Sequence, residues 1–128
     1  MSARILVVDD SRTIRVQLQK ILSNAGYEVV LAEDGRHALE VITCEPDLMI
    51  LDVLMPEMDG YGVCEELKQF GDKYANLPIV FLTSVKSHAM ELLGSEFGAY
   101  LQKPVQHEEL LATVEKQIQV SEESKSLL

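Results

Sequence analysis

The chain has 128 residues, of which 47% are hydrophobic and 25% are charged, and this size and balance are typical of one globular domain. Acidic residues outnumber basic residues by 21 to 11, giving a formal net charge of −10. A surface of this sign repels phosphate backbones, which argues against direct nucleic-acid binding. The first apolar run is too short for a signal peptide or a membrane span, and the two cysteines lack metal-ligand spacing. We therefore expect a reduced, cytoplasmic protein without membrane insertion.

Short apolar runs alternate with amphipathic stretches along the chain. The runs at residues 5–8, 29–31, 48–51, 79–82 and 100–101 predict five strands. Ser11 can cap the helix after the first strand, and Gly26 can end it in a left-handed conformation. Asp34 opens the second predicted helix, and Pro46 marks the exit from it.

Three more helices are predicted from apolar residues at helical spacing. The third has Val63, Leu67 and Phe70 on one face, the fourth carries Ala89, Leu92 and Leu93, and the last places Leu110, Leu111, Val114 and Ile118 on one side. Strands that alternate with helices indicate βαβ units, so we expect an α/β fold, a doubly wound, five-stranded parallel sheet with five helices on both faces. Four of the five strands are unbroken apolar runs, as strands buried on both sides should be. We place the domain at residues 1–120 and interpret residues 121–128 as a polar C-terminal tail or the stub of a linker.

Chemically useful side chains follow four of the predicted strands. Asp9 and Asp10 follow the first strand, Asp52 the third, Thr83 the fourth and Lys103 the fifth. Ligands of open α/β sheets bind beyond the carboxyl ends of the strands, so we expect these groups to converge. Clustered carboxylates suit a hard cation such as Mg²⁺, and a lysine and a hydroxyl beside it would hold a phosphoryl group. One aspartate can then act as the nucleophile.

Each of these residues also has a structural interpretation when it is taken alone. Asp10 could be an acid at a helix entry, and Asp52 could be a turn residue. Thr83 could cap the next helix, and Lys103 could be a solvated side chain. The functional hypothesis is favoured because all of them stand at strand ends in one chain.

Four segments together resemble the signature of response-regulator receiver domains from two-component signalling systems. These are residues 7–11, 51–60, 83–84 and 103–104, and the likeness extends from Arg4 to about Val120. The resemblance implies a flavodoxin-like strand order of 2-1-3-4-5. It also implies a phospho-accepting signalling switch rather than an enzyme, phosphorylated by a histidine kinase or a histidine phosphotransfer protein. The surface of the fourth helix, fifth strand and fifth helix would change for an output partner, and dimerisation on phosphorylation stays open.

The resemblance assigns the metal site and the phosphoacceptor. Asp52 would be the phosphoacceptor and also a ligand of Mg²⁺, with Mn²⁺ as the alternative ion. Asp10 would bind the metal directly and Asp9 through water. The backbone carbonyl of Leu54 would supply a further ligand.

The resemblance also implies roles for residues on the fourth and fifth strands. Lys103 would pair with a phosphoryl oxygen, and the Lys103–Pro104 peptide bond would be cis. Thr83 would act with Asp52 and Lys103 and move towards the phosphoryl group, while Tyr100 would turn into the space that Thr83 leaves.

The chain departs from the family pattern in its second half. The segment between Thr83 and Lys103 is short for the family, which bears on the output surface. The residues two positions beyond Asp52 and Thr83 are Leu54 and Val85, and in this family such side chains influence how fast the phosphoryl group is lost. Because two apolar side chains cannot orient an attacking water, we predict slow autodephosphorylation.

Two other functions were weighed against the phospho-switch. An aspartate-nucleophile phosphohydrolase of the haloacid-dehalogenase type needs two aspartates separated by one residue, whereas Asp9 and Asp10 are adjacent. An FMN-binding module of the flavodoxin type needs a phosphate loop rich in hydroxyls and glycine, and aromatic residues around the ring. This chain has the Asp pair at that place and no Trp, so both alternatives rank below the switch.

Overall fold

The computed structural model describes residues 3–55, 58–71, 74, 76–84 and 98–126. Its strands are β1 (Arg4–Val8), β2 (Glu28–Ala32), β3 (Leu48–Asp52), β4 (Ile79–Thr83) and β5 (Gly98–Gln102). Over these ranges the α-helices are α1 (Arg12–Asn24), α2 (Gly35–Val41), α3 (Gly60–Lys68) and α4 (His107–Ser126), and a 3₁₀ turn, Ile42–Cys44, follows α2. The helix predicted around Ala89 to Leu93 lies outside the described residues.

The five strands form one parallel sheet in the order β2-β1-β3-β4-β5. This order confirms the predicted α/β fold class. β1 pairs with β2 on one side and β3 on the other, so the order of the strands reverses between β1 and β3. Such a reversal opens a crevice at the carboxyl ends of the two strands, and Asp9 and Asp52 stand at those ends.

Alternate side chains of each strand enter two separate apolar layers. Leu6 and Val8 of β1 pack with residues of α2 and α3 on one face of the sheet. Ile5 and Val7 pack with residues of α1 and α4 on the other face. Every residue of β3 and of β4 is buried, as expected for central strands with helices on both sides.

Three helices begin with side-chain caps close to the carboxyl edge of the sheet. Ser11 Oγ accepts from the Ile14 amide at 3.4 Å, and Asp34 Oδ1 accepts from the His37 amide at 2.8 Å. Asp59 caps α3 through the Gly62 amide in the same way, also at 2.8 Å. These caps satisfy amides that have no partner inside the helix. The predicted starts at Ser11 and Asp34 are therefore confirmed.

Two helix ends differ from the predictions. α3 ends at Lys68, so the prediction that Phe70 shares a face of this helix with Val63 and Leu67 is wrong. Phe70 follows the helix in a turn, remains exposed and meets the Tyr74 ring edge-on at 6.1 Å between centroids. α4 continues to Ser126, well into the predicted tail, because residues 121–126 contain neither Gly nor Pro to stop it. Within the described helices, none combines the length and apolar character needed to cross a membrane.

Candidate functional site

The carboxylates predicted at the ends of β1 and β3 lie together. Asp9 directly follows β1 and is 0% exposed, Asp52 is the last residue of β3 and is 4% exposed, and Asp10 is exposed at the rim. One carboxylate oxygen from each of them lies within 4.8 Å of the others. We call Asp9, Asp10 and Asp52 the acidic cluster. It forms at the β1–β3 crevice because parallel strands end at one edge of the sheet.

Asp9 is held through both its backbone and its side chain. Its amide donates to the Ala32 carbonyl at 3.2 Å, which extends the β1–β2 pairing by one residue. Its Oδ1 accepts from the Ser11 amide at 2.9 Å, and its carbonyl accepts from Arg15 Nη1 at 2.7 Å. The turn from β1 into α1 is therefore fixed around a buried carboxylate.

Lys103 reaches the acidic cluster from the end of β5. Its Nζ lies 2.8 Å from Asp9 Oδ2 and 3.4 Å from Asp52 Oδ2, and its side chain is 19% exposed. The Lys103–Pro104 peptide bond is cis. Burial alone would lower the pKa of Lys103, but the attraction of Asp9 and Asp52 outweighs it and raises the pKa. The ammonium is therefore an internal counter-ion of the two buried acids and not a solvated side chain.

The Asp52 carboxyl is under electrostatic strain. Burial and the charge of Asp9 raise the pKa of Asp52 to about 6, against the opposing pull of Lys103 and of the Leu54 amide. The Leu54 amide donates to Asp52 Oδ1 at 3.3 Å. One ammonium therefore does not fully compensate the two buried carboxylates.

The donor set fits a hard divalent cation. Three carboxylates converge, and oxygen ligands at such a rim are those that Mg²⁺ prefers. Asp9 Oδ2 is buried, and its partner among the described residues is the Lys103 ammonium at 2.8 Å. An added cation would share this charge compensation and reduce the repulsion between Asp9 and Asp52.

Thr83 and Tyr100 lie on the two strands beyond β3. Thr83 is the buried last residue of β4, and β4 pairs with β3 so that Leu82 stands opposite Asp52. Tyr100 stands opposite Phe81 in the β4–β5 pair and is half-buried against the layer that contains α2 and α3. The side chain of Leu54 is 54% exposed beside the site. Val85, Pro56 and Glu57 lie outside the described residues.

Gly60 approaches the backbone of Asp52 closely. A Cβ atom on Gly60 would lie 2.8 Å from the Asp52 carbonyl oxygen, which is too close for any side chain. The Gly60 amide donates to the Val53 carbonyl at 2.9 Å. The loop from Asp52 to α3 therefore folds back against the end of β3, and a glycine at this position permits it.

The contacts that Arg15 and Gly60 make were not predicted from the sequence. Arg15 lies four residues after the Ser11 cap, and helical side chains point back towards the N-terminus, so this spacing was a usable signal. Gly60 belongs to the segment 51–60 that carries the family resemblance, but its close approach to the Asp52 backbone depends on tertiary packing that no local pattern encodes.

Comparison with known proteins agrees with this geometry. Residues 5–115 match the response regulator receiver domain family. The chain is 49% identical over 115 residues to the response regulator MprA of Mycolicibacterium vanbaalenii, covering 88% of this chain and 48% of that protein. The chain thus spans about half the length of the curated relatives it matches.

Solved structures agree at the level of the fold and of the sequence. The chemotaxis protein CheY4 of Vibrio cholerae superposes with a TM-score of 0.83 at 35% identity, covering 91% of this chain and 98% of that one. The signal receiver domain of a signal transduction histidine kinase from Syntrophus aciditrophicus gives 0.79 at 33% identity, covering 92% and 91%.

Proposed function

Because this chain belongs to the response regulator receiver domain family, we propose that it is a phospho-accepting switch in which Asp52 takes a phosphoryl group from a histidine kinase or a histidine phosphotransfer protein. It is a signalling domain and not a classical enzyme, although its own residues assist the transfer. If the chain is part of a longer protein, we propose that this domain is the phosphorylated switch of that protein. We place this function in the cytoplasm.

One observation carries the proposal. Asp52 is a buried carboxylate at the end of a central strand, with Lys103 Nζ 3.4 Å away and the other acids of the cluster within 4.8 Å. A purely structural aspartate gains nothing from being buried beside another carboxylate, because the repulsion costs folding free energy. A site that must accept a phosphoryl group and a cation needs this arrangement.

The metal is part of the proposal. Asp9, Asp10 and Asp52 would hold Mg²⁺, with Mn²⁺ as the alternative, and the Leu54 carbonyl would add a ligand from the backbone. The ion would supply charge neutralisation for the phosphoryl oxygens. Asp10 is exposed at the rim, where an ion from solvent could reach it directly, and the family resemblance implies that Asp9 would act through water.

In the transfer step a carboxylate oxygen of Asp52 attacks the phosphorus of the donor. A new O–P bond forms while the P–N bond to the donor histidine breaks, and the histidine nitrogen leaves with the electron pair. Lys103 is placed to exchange its contact with Asp52 for one with a phosphoryl oxygen, which it stabilises as an ammonium. The leaving imidazole regains a proton from solvent.

The switch would operate through β4 and β5. The Thr83 hydroxyl would move towards the new phosphoryl group, and the half-buried Tyr100 would turn inwards. The two residues stand on neighbouring strands, with Thr83 paired to Gln102, two positions beyond Tyr100. Such a rearrangement would change the surface formed by β5, α4 and the helix predicted after β4, where an output partner would bind.

Phosphorylation by a small donor tests the proposal. Acetyl phosphate and MgCl₂ should add one phosphoryl group per chain, detected by intact mass, and EDTA should prevent it. Asp52→Asn should remove the added mass, while Asp47→Asn, at the opposite end of β3, should keep it. Equal labelling of Asp52→Asn and the unmodified protein would show that Asp52 is not the phosphoacceptor.

A further inference from the structure

Arg15 contacts the backbone of the acidic cluster. Its Nη1 donates to the backbone carbonyl of Asp9 at 2.7 Å, and the side chain is half-buried. The carbonyl belongs to the peptide unit that joins Asp9 to Asp10. This contact therefore touches the one peptide group shared by two members of the cluster.

The Asp9 carbonyl lies beyond the β1 ladder. The register of β1 with β2 and β3 ends at Val8, and within the described part of the sheet no backbone amide donates to this carbonyl. Asp9 is completely buried, and a buried carbonyl without a donor loses roughly 1–3 kcal/mol of hydrogen-bonding free energy. Arg15 supplies the donor that the strand geometry lacks.

The position of Arg15 on α1 makes the contact possible. Ser11 caps α1, and the Arg15 amide donates to the Ser11 carbonyl at 3.0 Å, which completes the first helical turn. A side chain at this position points back past the cap towards the end of β1. The guanidinium is always charged and presents donors in a fixed plane, so it holds a carbonyl in one orientation.

We propose that Arg15 is a positioning residue of the metal site, which fixes the Asp9–Asp10 peptide so that the Asp10 carboxylate faces Asp52. Without the guanidinium, the carbonyl would rotate towards water to find a donor. Rotation of that peptide turns the Cα of Asp10 and carries its carboxylate out of the cluster. The inference rests on the proposed function, because it assumes that the acidic cluster binds a divalent cation.

Electrostatics alone makes the opposite prediction. Arg15 is a cation next to a site for a cation, so its removal should strengthen Mg²⁺ binding by reducing repulsion. A positioning role predicts weaker binding, because the ligands are no longer held in place. The sign of the change in affinity therefore separates the two roles.

The experiment is a titration of the full chain with MgCl₂ at neutral pH, without a phosphodonor, followed by amide chemical shifts in two-dimensional NMR. Arg15→Met should bind about tenfold more weakly than the unmodified protein, as expected for loss of an outer-shell contact. Arg15→Lys should lie between the two, since it keeps the charge but lacks the fixed planar geometry with which the guanidinium holds the carbonyl. Arg12→Met is the matched control: it removes the same charge from an exposed position of α1, and its affinity should stay within about twofold or become tighter, as screened charges require.

The possible outcomes test two statements separately: the positioning role of Arg15, and the metal site of the proposed function. Binding by Arg15→Met that equals or exceeds that of the unmodified protein overturns the positioning role. If Arg15→Met is unfolded in EDTA by circular dichroism, Arg15→Lys decides instead: weaker binding supports the role, and unchanged binding overturns it. If the unmodified protein does not bind Mg²⁺, the metal site of the proposed function is contradicted.

A second measurement separates positioning from general damage. In phosphorylation by acetyl phosphate, Arg15→Met should raise the Mg²⁺ concentration for half-maximal rate and leave the rate at saturating Mg²⁺ nearly unchanged. A loss of rate that saturating Mg²⁺ does not restore would mean that Arg15 acts elsewhere, and would contradict the inference.

Discussion

The backbone amide of Lys103 donates to the carbonyl of Thr83 at 2.8 Å. This bond extends the β4–β5 pairing to the two residues that carry the ammonium and the hydroxyl of the site. The Lys103 side chain then extends across the end of β4 and β3 to reach Asp52 and Asp9. The position of the ammonium thus depends on the same strand ends that the proposed switch would move.

Replacing Lys103 by Met should destabilise the metal-free protein. Asp9 and Asp52 would be left without their ammonium, and removing one partner of a buried ion pair costs about 3–5 kcal/mol, with the lower value expected at this partly open rim. Urea unfolding in EDTA measures the loss. Addition of MgCl₂ should recover more stability in the Lys103→Met variant than in the unmodified protein, because the cation takes over part of the lost compensation.

Lys68→Met is the control for this substitution. Lys68 pairs with Glu65 on the exposed face of α3 at 3.3 Å, and such pairs contribute about 0.3–0.5 kcal/mol. A loss in Lys103→Met no larger than in Lys68→Met would mean that the buried acids do not depend on the ammonium.

Replacing Asp52 by Asn should stabilise the metal-free protein at neutral pH. The pKa of Asp52 is raised from 3.8 to about 6 in the folded state, so the folded state binds the proton more tightly than the unfolded state. Its contribution to stability is fully present below pH 3.8 and is lost as the pH rises through about 6. Asn keeps the shape without the charge, so the gain at neutral pH should be on the order of 1–3 kcal/mol.

The measurement is urea unfolding in EDTA at acidic and at neutral pH. Asp52→Asn and the unmodified protein should differ little in acid and diverge as Asp52 ionises. Glu40→Gln, at an exposed position of α2, should show no such divergence. Equal stability of Asp52→Asn and the unmodified protein at neutral pH would contradict the raised pKa.

The alternation of apolar runs was sufficient to predict the sheet and most of its helices. Residues 5–8 and 48–51 could be recognised as buried strands because helices cover both faces of a parallel sheet. Ser11 and Asp34 predicted helix starts because an N-cap is a local hydrogen bond. The prediction for Phe70 was wrong because apolar spacing continues past the end of α3. The helix is ended by the turn at residues 69–71, where Gly71 has a φ of +118°.

The members of the acidic cluster could be predicted from their places at strand ends, but not their contacts. The family resemblance paired Lys103 with a phosphoryl oxygen, and the structure adds that its ammonium lies between Asp9 and Asp52. The approach of Gly60 to Asp52 depends on how a loop folds back over the sheet. Distances of this kind come from tertiary packing, which a strand-end pattern does not contain.

Replacing Gly60 by Ala should destabilise the protein and impair phosphorylation together. The new methyl group would lie 2.8 Å from the Asp52 carbonyl and 3.2 Å from Val53 Cα, both backbone atoms that cannot move aside cheaply. Overpacking of this kind costs about 1–3 kcal/mol, and it displaces the residue that accepts the phosphoryl group. Thermal unfolding and labelling with acetyl phosphate measure the two effects.

Gly62→Ala, two positions further along α3, gives the matched comparison. Its Cβ would meet the flexible Met58 side chain at 3.0 Å, and Ala is favoured over Gly inside a helix by about 1 kcal/mol. We expect stability close to that of the unmodified protein and normal labelling. If Gly60→Ala matched Gly62→Ala in stability and in labelling, the close approach of Gly60 to Asp52 would not matter for phosphorylation.

The phosphorylated protein should lose its phosphoryl group slowly, and Leu54 should contribute to this. The side chain of Leu54 is 54% exposed two residues beyond Asp52, where an apolar group offers no hydrogen bond to an attacking water. Leu54→Asn introduces a donor and an acceptor at the rim, so it should speed dephosphorylation by about threefold to tenfold. The decay of phosphoprotein purified away from its donor measures this rate, with Val120→Asn, an exposed apolar residue of α4, as the control. A half-life of seconds in the unmodified protein, or equal decay in Leu54→Asn, would show that this side chain does not limit access of water.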